Sequence, residues 1–204
     1  MNWKIVSERI GASLAALAMA IGLSAPVAFA QGHDHDHGAL TPAQPLTPED
    51  ARRVSRLVAE VRAATERFRD VHVAQAEGYG LAFGCVSGSG EEGAMGLHFV
   101  NGGLVGDGEL RVDRPEIILY EPLPNGGARI TGADYLVDAA TWDATHTEPP
   151  QLEGQLFHFF DSPNRFGLKP FYTLHVWAWK DNPSGTFTNW NPTVTCDAFS
   201  GSIR

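Results

Sequence analysis

Beyond residue 78 the sequence consists of short apolar or aromatic runs separated by glycine, proline, asparagine and aspartate. Runs of about four to eight residues separated by such turn-forming residues are typical of β-strands joined by turns. The residues Pro124-Asn125-Gly126-Gly127 suit a tight turn, so residues 115–137 predict one β-hairpin. We expect five strands near residues 95–100, 116–121, 128–137, 155–160 and 172–180.

One amphipathic helix precedes these strands. Thr47 is the expected N-cap with Pro48 in the first turn, and the helix should run to about Glu77 and end at Gly78. Its apolar stripe comprises Val54, Leu57, Val58, Val61, Ala64, Phe68 and Val71. One long helix followed by antiparallel strands indicates the α+β class. We expect the helix to pack on a curved antiparallel sheet or on a half-open small barrel, because this buries both apolar faces.

The first 30 residues have the pattern of a signal peptide. Lys4 and Arg9 give the segment a positively charged start. The apolar stretch 10–23 that follows is shorter than a bilayer-spanning helix, and Ala28-Phe29-Ala30 fits a cleavage site. We therefore divide the chain into a signal peptide at 1–30, a disordered His/Asp-rich linker at 31–46 and a single α+β domain at 47–204. The mature protein should be periplasmic or secreted, with no membrane span.

The charge of the chain restricts its partners. The formal net charge is −9, and removal of the weakly basic first 30 residues makes the mature chain more acidic still. Phosphate binding requires a basic face, which argues against nucleic acid as a partner. Metal ions and small molecules remain compatible with this charge.

The two cysteines, Cys85 and Cys196, predict a disulfide. In an oxidising compartment two cysteines most simply pair, and neither lies in a Cys-x-x-Cys spacing. The alternative is a pair of free thiols that act as metal ligands.

Three histidines lie inside apolar, aromatic runs, namely His98, His158 and His175. A buried imidazole needs a hydrogen-bond acceptor or a metal as its partner. Strand alternation allows His98, His175 and the carboxylate of Glu121 to converge in the concavity of a curved sheet. Two imidazoles and a carboxylate suit a divalent transition metal, namely copper, zinc, iron or manganese. His158 is then the third imidazole or a neighbour of the ligands.

Each of these residues also has a structural interpretation. A histidine in an aromatic strand is more often a core residue that hydrogen-bonds a backbone carbonyl. Glu121 ends a strand, where a carboxylate commonly meets water, and the same applies to Asp134. His146 lies in a predicted loop, where it is either solvated or part of a lid or an acid–base arm.

A second group of histidines, His33, His35 and His37, alternates with aspartate in the linker. Cleavage after Ala30 would leave Gln31-Gly32-His33 at the amino terminus. A free amine, two amide nitrogens and a third-position imidazole form a square-planar set for Cu(II) or Ni(II). The alternative is a flexible hydrophilic linker with incidental metal affinity.

Several motifs resemble a family of exported bacterial proteins usually described as hypothetical. The motifs are Gly93-Ala94-Met95-Gly96-Leu97-His98-Phe99-Val100-Asn101, Leu119-Tyr120-Glu121-Pro122, Ser162-Pro163-Asn164-Arg165-Phe166-Gly167-Leu168 and Leu174-His175-Val176-Trp177 with Asn191-Pro192 and Cys196. The resemblance covers roughly residues 51–196. It implies a signal peptide followed by one domain, but that family has no established activity, so the chemistry stays open.

These observations favour an exported metal-binding domain, and the hypothesis extends to a mononuclear metalloenzyme with a His/His/carboxylate site. Two alternatives belong to other classes. One is a non-catalytic periplasmic binding module for a small apolar or aromatic ligand, in which the histidines orient the ligand. The other is a metal-buffering envelope protein that acts through the His-Asp linker alone.

Overall fold

The computed structural model describes residues 47–203 and has the predicted α+β class, with a curled antiparallel sheet that forms a half-barrel. The strands are β1 (Gly80–Ser87), β2 (Ala94–Val100), β3 (Ile117–Pro122), β4 (Ala128–Asp138), β5 (Gln151–Leu152), β6 (Gln155–Leu156), β7 (His158–Phe160) and β8 (Phe171–Val176). Six of them form one sheet in the order β1-β2-β3-β4-β8-β7, and β5 pairs with β6 separately. The predicted signal peptide and the linker lie outside the described residues.

Helices occupy a smaller part of the domain. They are α1 (Pro48–Thr65), α2 (Val71–Ala76), α3 (Gly102–Val105) and α4 (Ala139–Asp143), with 3-10 turns at Glu66–Arg69 and Gly90–Glu92. Within residues 47–203, no helix has the length and apolarity needed to cross a membrane.

The predicted helix from Pro48 to Glu77 is interrupted. Its start is confirmed, because the Thr47 side chain accepts a hydrogen bond from the Asp50 backbone N–H. The chain tightens into a 3-10 turn after Thr65, and Asp70 then adopts an extended backbone and caps α2. The apolar stripe continues across this break, which is why helical periodicity alone did not reveal it.

The strand predictions are accurate in the middle of the chain and weaker at its ends. The hairpin over 115–137 is confirmed as β3 and β4, joined by a turn in which the Leu123 N–H donates to the Gly127 carbonyl. The run 155–160 is divided between β6 and β7, and β8 ends at Val176. β1 was not predicted, because its glycines and its irregular pairing between Ala82 and Cys85 obscure any alternation.

The core of the domain lies on one face of the six-stranded sheet. One face forms the core, in which Leu57 and Val61 of α1 share a buried cluster with Tyr135 of β4. A second cluster joins Phe68 to Tyr120, whose hydroxyl donates to the Phe68 carbonyl. Because successive side chains point to opposite faces, the neighbours of these core residues point to the other face.

The predicted disulfide is confirmed between Cys85 in β1 and Cys196, across 111 residues of sequence. The tail that leads to Cys196 is also held to β2, because Asn191 and Ala94 exchange two backbone hydrogen bonds. The C-terminal segment is therefore tied to the first two strands of the sheet.

Candidate metal centre

Three side chains that can ligate a metal meet on the sheet face opposite the core, namely His98 of β2, Asp134 of β4 and His175 of β8. One ligand atom from each lies within 4.8 Å of the other two. Asp134 stands directly opposite His175 in the β4–β8 pair. All three are buried, with exposed fractions of 5%, 2% and 2%.

His98 has a defined ring orientation. Its Nδ1 lies 3.2 Å from the carbonyl oxygen of Gly96. A carbonyl only accepts, so Nδ1 must carry the hydrogen, and Nε2 then holds the lone pair. This is the arrangement of a metal-binding histidine whose other nitrogen donates to a backbone carbonyl.

His175 lacks such a partner. Its Nδ1 is 3.5 Å from Asp134 Oδ1, and neither ring nitrogen has a hydrogen-bond partner within residues 47–203. Asp134 Oδ1 instead accepts a hydrogen bond from the Thr173 hydroxyl, which holds the carboxylate in place. The rings of His98 and His175 meet edge to face, with centroids 5.7 Å apart.

Burial controls the charge of all three groups. It lowers the pKa of His98 to about 4, and the charge of His175 adds to the effect. Burial likewise lowers the pKa of His175 to about 3. It raises the pKa of Asp134 to about 6, against the charge of His98 and the Thr173 hydrogen bond. At neutral pH both imidazoles are therefore neutral and the carboxylate is mostly ionised.

The carboxylate in this cluster is Asp134, whereas the sequence predicted Glu121. Glu121 lies four residues beyond Ile117, the partner of Asp134 in the β3–β4 pair, and four residues of strand span about 13 Å. Its carboxylate accepts hydrogen bonds from Lys180 at 2.7 Å and from Arg129 at 2.6 Å. Desolvation raises the pKa of Glu121, but these two hydrogen bonds outweigh it and the pKa is lowered overall. Glu121 is thus held by two cations.

His158 lies near the cluster without joining it. It sits on the edge strand β7 opposite Thr173 and its side chain is exposed. His146 is not among the three residues of the cluster, and its ring stacks on Trp142 with ring centroids 3.7 Å apart. The linker histidines His33, His35 and His37 fall outside the described residues, so their copper site stays a prediction.

Sequence reasoning missed Asp134 as a ligand. One feature of the sequence could have pointed to it. Asp134 lies between the apolar residues Ala133 and Tyr135 in its strand. An acid in such a strand is unusual if it is buried, yet alternation alone cannot tell a solvated face from a second buried one.

Comparison with protein-family models, curated proteins and solved structures finds no match to this chain. The resemblance to exported hypothetical proteins therefore stays a prediction. A functional conclusion must rest on the geometry of the centre.

Proposed function

We propose that this domain binds one divalent transition metal through His98, Asp134 and His175. The observation that carries the proposal is His175, whose two buried ring nitrogens find no partner among the described residues. An unpaired buried polar group costs about 1–3 kcal/mol, so such groups are rare unless a ligand satisfies them. A metal bound to one nitrogen would remove part of this cost.

The charge states support the same conclusion. Metal ligands must be deprotonated, and protons compete with the metal for the same lone pairs. Because burial holds the pKa values of His98 and His175 near 4 and 3, no proton has to leave either ring at neutral pH. At neutral pH the centre can therefore bind a cation without first losing a proton from either ring. Its single carboxylate offsets part of the charge of the cation.

The donor set narrows the class of metal. Two imidazoles and one carboxylate suit zinc, iron, copper or manganese. Calcium and magnesium prefer oxygen ligands, so they do not match this donor set. Three protein ligands also leave at least one coordination position open, as in sites that bind or activate a small molecule.

Some closure of the centre must accompany binding. Ligand bonds of roughly 2 Å place neighbouring ligand atoms about 3–3.5 Å apart, whereas the present set spans up to 4.8 Å. The side chains would move together by about 1 Å, which rotation of the imidazole of His175 can supply because no hydrogen bond within residues 47–203 restrains it.

Metal analysis and zinc titration of the full chain test the proposal, with His33, His35 and His37 replaced by alanine to remove the linker's contribution. We expect one zinc per chain. His98→Ala and His175→Ala should weaken binding at least 100-fold, and Asp134→Asn at least tenfold, because each removes a ligand or its charge.

Two matched variants serve as controls. Glu121→Gln changes the carboxylate that pairs with Lys180 and Arg129, and His146→Ala removes a histidine outside the cluster. Both should bind zinc as the parent does. The proposal is overturned if the linker-substituted protein binds no zinc, iron(II), copper or manganese, or if the three cluster variants bind as tightly as the parent.

We also infer that the protein is exported. The disulfide between Cys85 and Cys196 supports this inference, since such bonds persist mainly in oxidising compartments. The signal-like pattern of residues 1–30 agrees with it.

A further inference from the structure

The candidate metal centre borders a small space that all three cluster residues line. About 30 Å³ of this space is accessible to a water-sized molecule. One water needs about 10–15 Å³ by this measure, so the space holds about two waters or one molecule of two non-hydrogen atoms. A ligand that reaches an open position of the centre without displacing the wall is therefore no larger than that.

Phenyl rings take up much of the surroundings of this space. Phe160 and Phe171 stack with ring centroids 5.1 Å apart, and Phe166 stands edge-on to both. Phe83 packs edge-on against Phe166 at 5.6 Å. Because these rings pack against one another, they leave room beside the centre for only a few atoms and not for a further ring.

Outside the centre the wall of the space is almost entirely apolar. Its polar side chains are the three cluster residues and Thr173, whose hydroxyl already donates to Asp134. The described part of the chain contributes no lysine or arginine to the lining. A small anion would meet no cation here except the metal. A neutral diatomic molecule needs no hydrogen bond, so an apolar wall does not oppose its burial.

The donor set of the centre suits a ligand of this kind. Two imidazoles and one carboxylate that leave coordination positions open are typical of iron(II) sites that use dioxygen. The three protein ligands are His98, Asp134 and His175, which come from three different strands and meet at one point of the wall. The size of the space, its polarity and the donors thus favour the same class of ligand.

We propose that the centre, loaded with iron(II), binds one uncharged diatomic molecule at an open position and excludes larger ligands. Dioxygen is the abundant molecule of this class. One atom of the ligand contacts the metal, and the other lies against the apolar wall. This inference rests on the proposed metal binding and names the class of ligand for that site.

Titration with nitric oxide tests the inference on the full chain with His33, His35 and His37 replaced by alanine, the parent protein. Iron(II) is loaded without oxygen, and the iron content is measured first. Electron paramagnetic resonance of the iron–nitrosyl complex then counts the bound nitric oxide, which has the size of dioxygen. We expect one nitric oxide per iron. Imidazole, a neutral metal ligand with a five-membered ring, should not compete with it.

Three variants of the parent test the limit on size. Leu168 lines the space, so Leu168→Phe should fill it and weaken nitric oxide binding at least tenfold. Leu168→Ala should enlarge the space, so that imidazole now competes with nitric oxide. Leu156→Phe is the matched control, because Leu156 is 62% exposed and does not line the space. It should behave as the parent does. The iron content of each variant reports whether the centre is intact.

The outcomes separate this inference from the proposed function. If the parent takes up iron(II) but binds no nitric oxide, or takes up zinc but no iron(II), the ligand inference is overturned and metal binding stands. If imidazole competes equally in the parent and in Leu168→Ala, the exclusion of larger ligands is overturned. That comparison decides the point even if Leu168→Phe loses its iron. If the parent binds no metal, both proposals fail.

Discussion

At the scale of single residues, burial determines the charge of the ionisable side chains in and beside the candidate centre. The rings of His98 and His175 are kept neutral by it. Glu116 shows the same effect outside the cluster. It is 1% exposed and accepts a hydrogen bond from the Leu136 backbone N–H. Burial raises the pKa of Glu116 to about 8 despite that bond, and the charge of Asp134 adds to the rise.

Glu116 should therefore make the domain less stable as the pH rises. The unfolded chain releases this proton near pH 4.5 and the folded chain near pH 8, so the unfolded state binds fewer protons between these values. The free energy of unfolding then falls across that window, by about 1.4 kcal/mol for each unit of pKa difference, and levels off above it.

Replacement of Glu116 by glutamine should flatten this pH dependence. Glutamine keeps an acceptor for the Leu136 N–H but has no charge to bury, so E116Q should be more stable than wild type at pH 8–9. Urea unfolding of both proteins from pH 5 to pH 9 measures the difference. Parallel pH profiles for the two proteins would contradict the assignment.

At the scale of elements, the centre depends on how closely β2 approaches β3. Gly96 has φ of +90°, and a Cβ atom at this position would overlap the backbone carbonyl oxygen of Tyr120. The same glycine supplies the carbonyl that faces His98 Nδ1. A glycine in β2 thus serves both the pairing of the strands and the orientation of a candidate ligand.

Gly96→Ala should lower the free energy of unfolding by about 2 kcal/mol or more, since it adds backbone strain and forces the strands apart. Zinc affinity should also fall, by about tenfold, because the carbonyl that orients His98 is displaced. Gly80→Ala is the matched control, as nothing lies within 4 Å of its added Cβ. Equal stability and equal zinc affinity for the two variants would show that close approach at Gly96 is unimportant.

At the scale of the whole molecule, one disulfide links β1 to the C-terminal tail. The bond between Cys85 and Cys196 closes a loop of 111 residues, which includes every described strand after β1. A cross-link of this span restricts the unfolded chain far more than it restricts the folded one. It stabilises the domain without contributing any group to the candidate centre.

Substitution of both cysteines by alanine should lower the free energy of unfolding by about 5 kcal/mol, the chain-entropy value for a loop of this length. Thermal and urea unfolding measure the loss. A reducing agent should bring wild type down to the level of the variant and leave the variant unchanged. If reduction does not destabilise wild type, the disulfide does not provide this stability.

The sequence by itself determined the features that depend on local pattern or on simple pairing. The helix start at Thr47 and the β3–β4 hairpin follow from capping, turn residues and periodicity, and the disulfide follows from there being two cysteines. Periodicity also marked His98 and His175 as interior histidines. Periodicity did not reveal the break in the helix at Asp70, because the apolar stripe continues through the break.

Only the tertiary structure decided which carboxylate meets the two histidines. Alternation along a strand tells which side chains share a face, but the neighbours across strands depend on register, and register is set by the pairing of the whole sheet. That pairing places Asp134 opposite His175 and carries Glu121 toward Arg129 and Lys180. The histidines of the candidate centre could therefore be read from the sequence, and its acid could not.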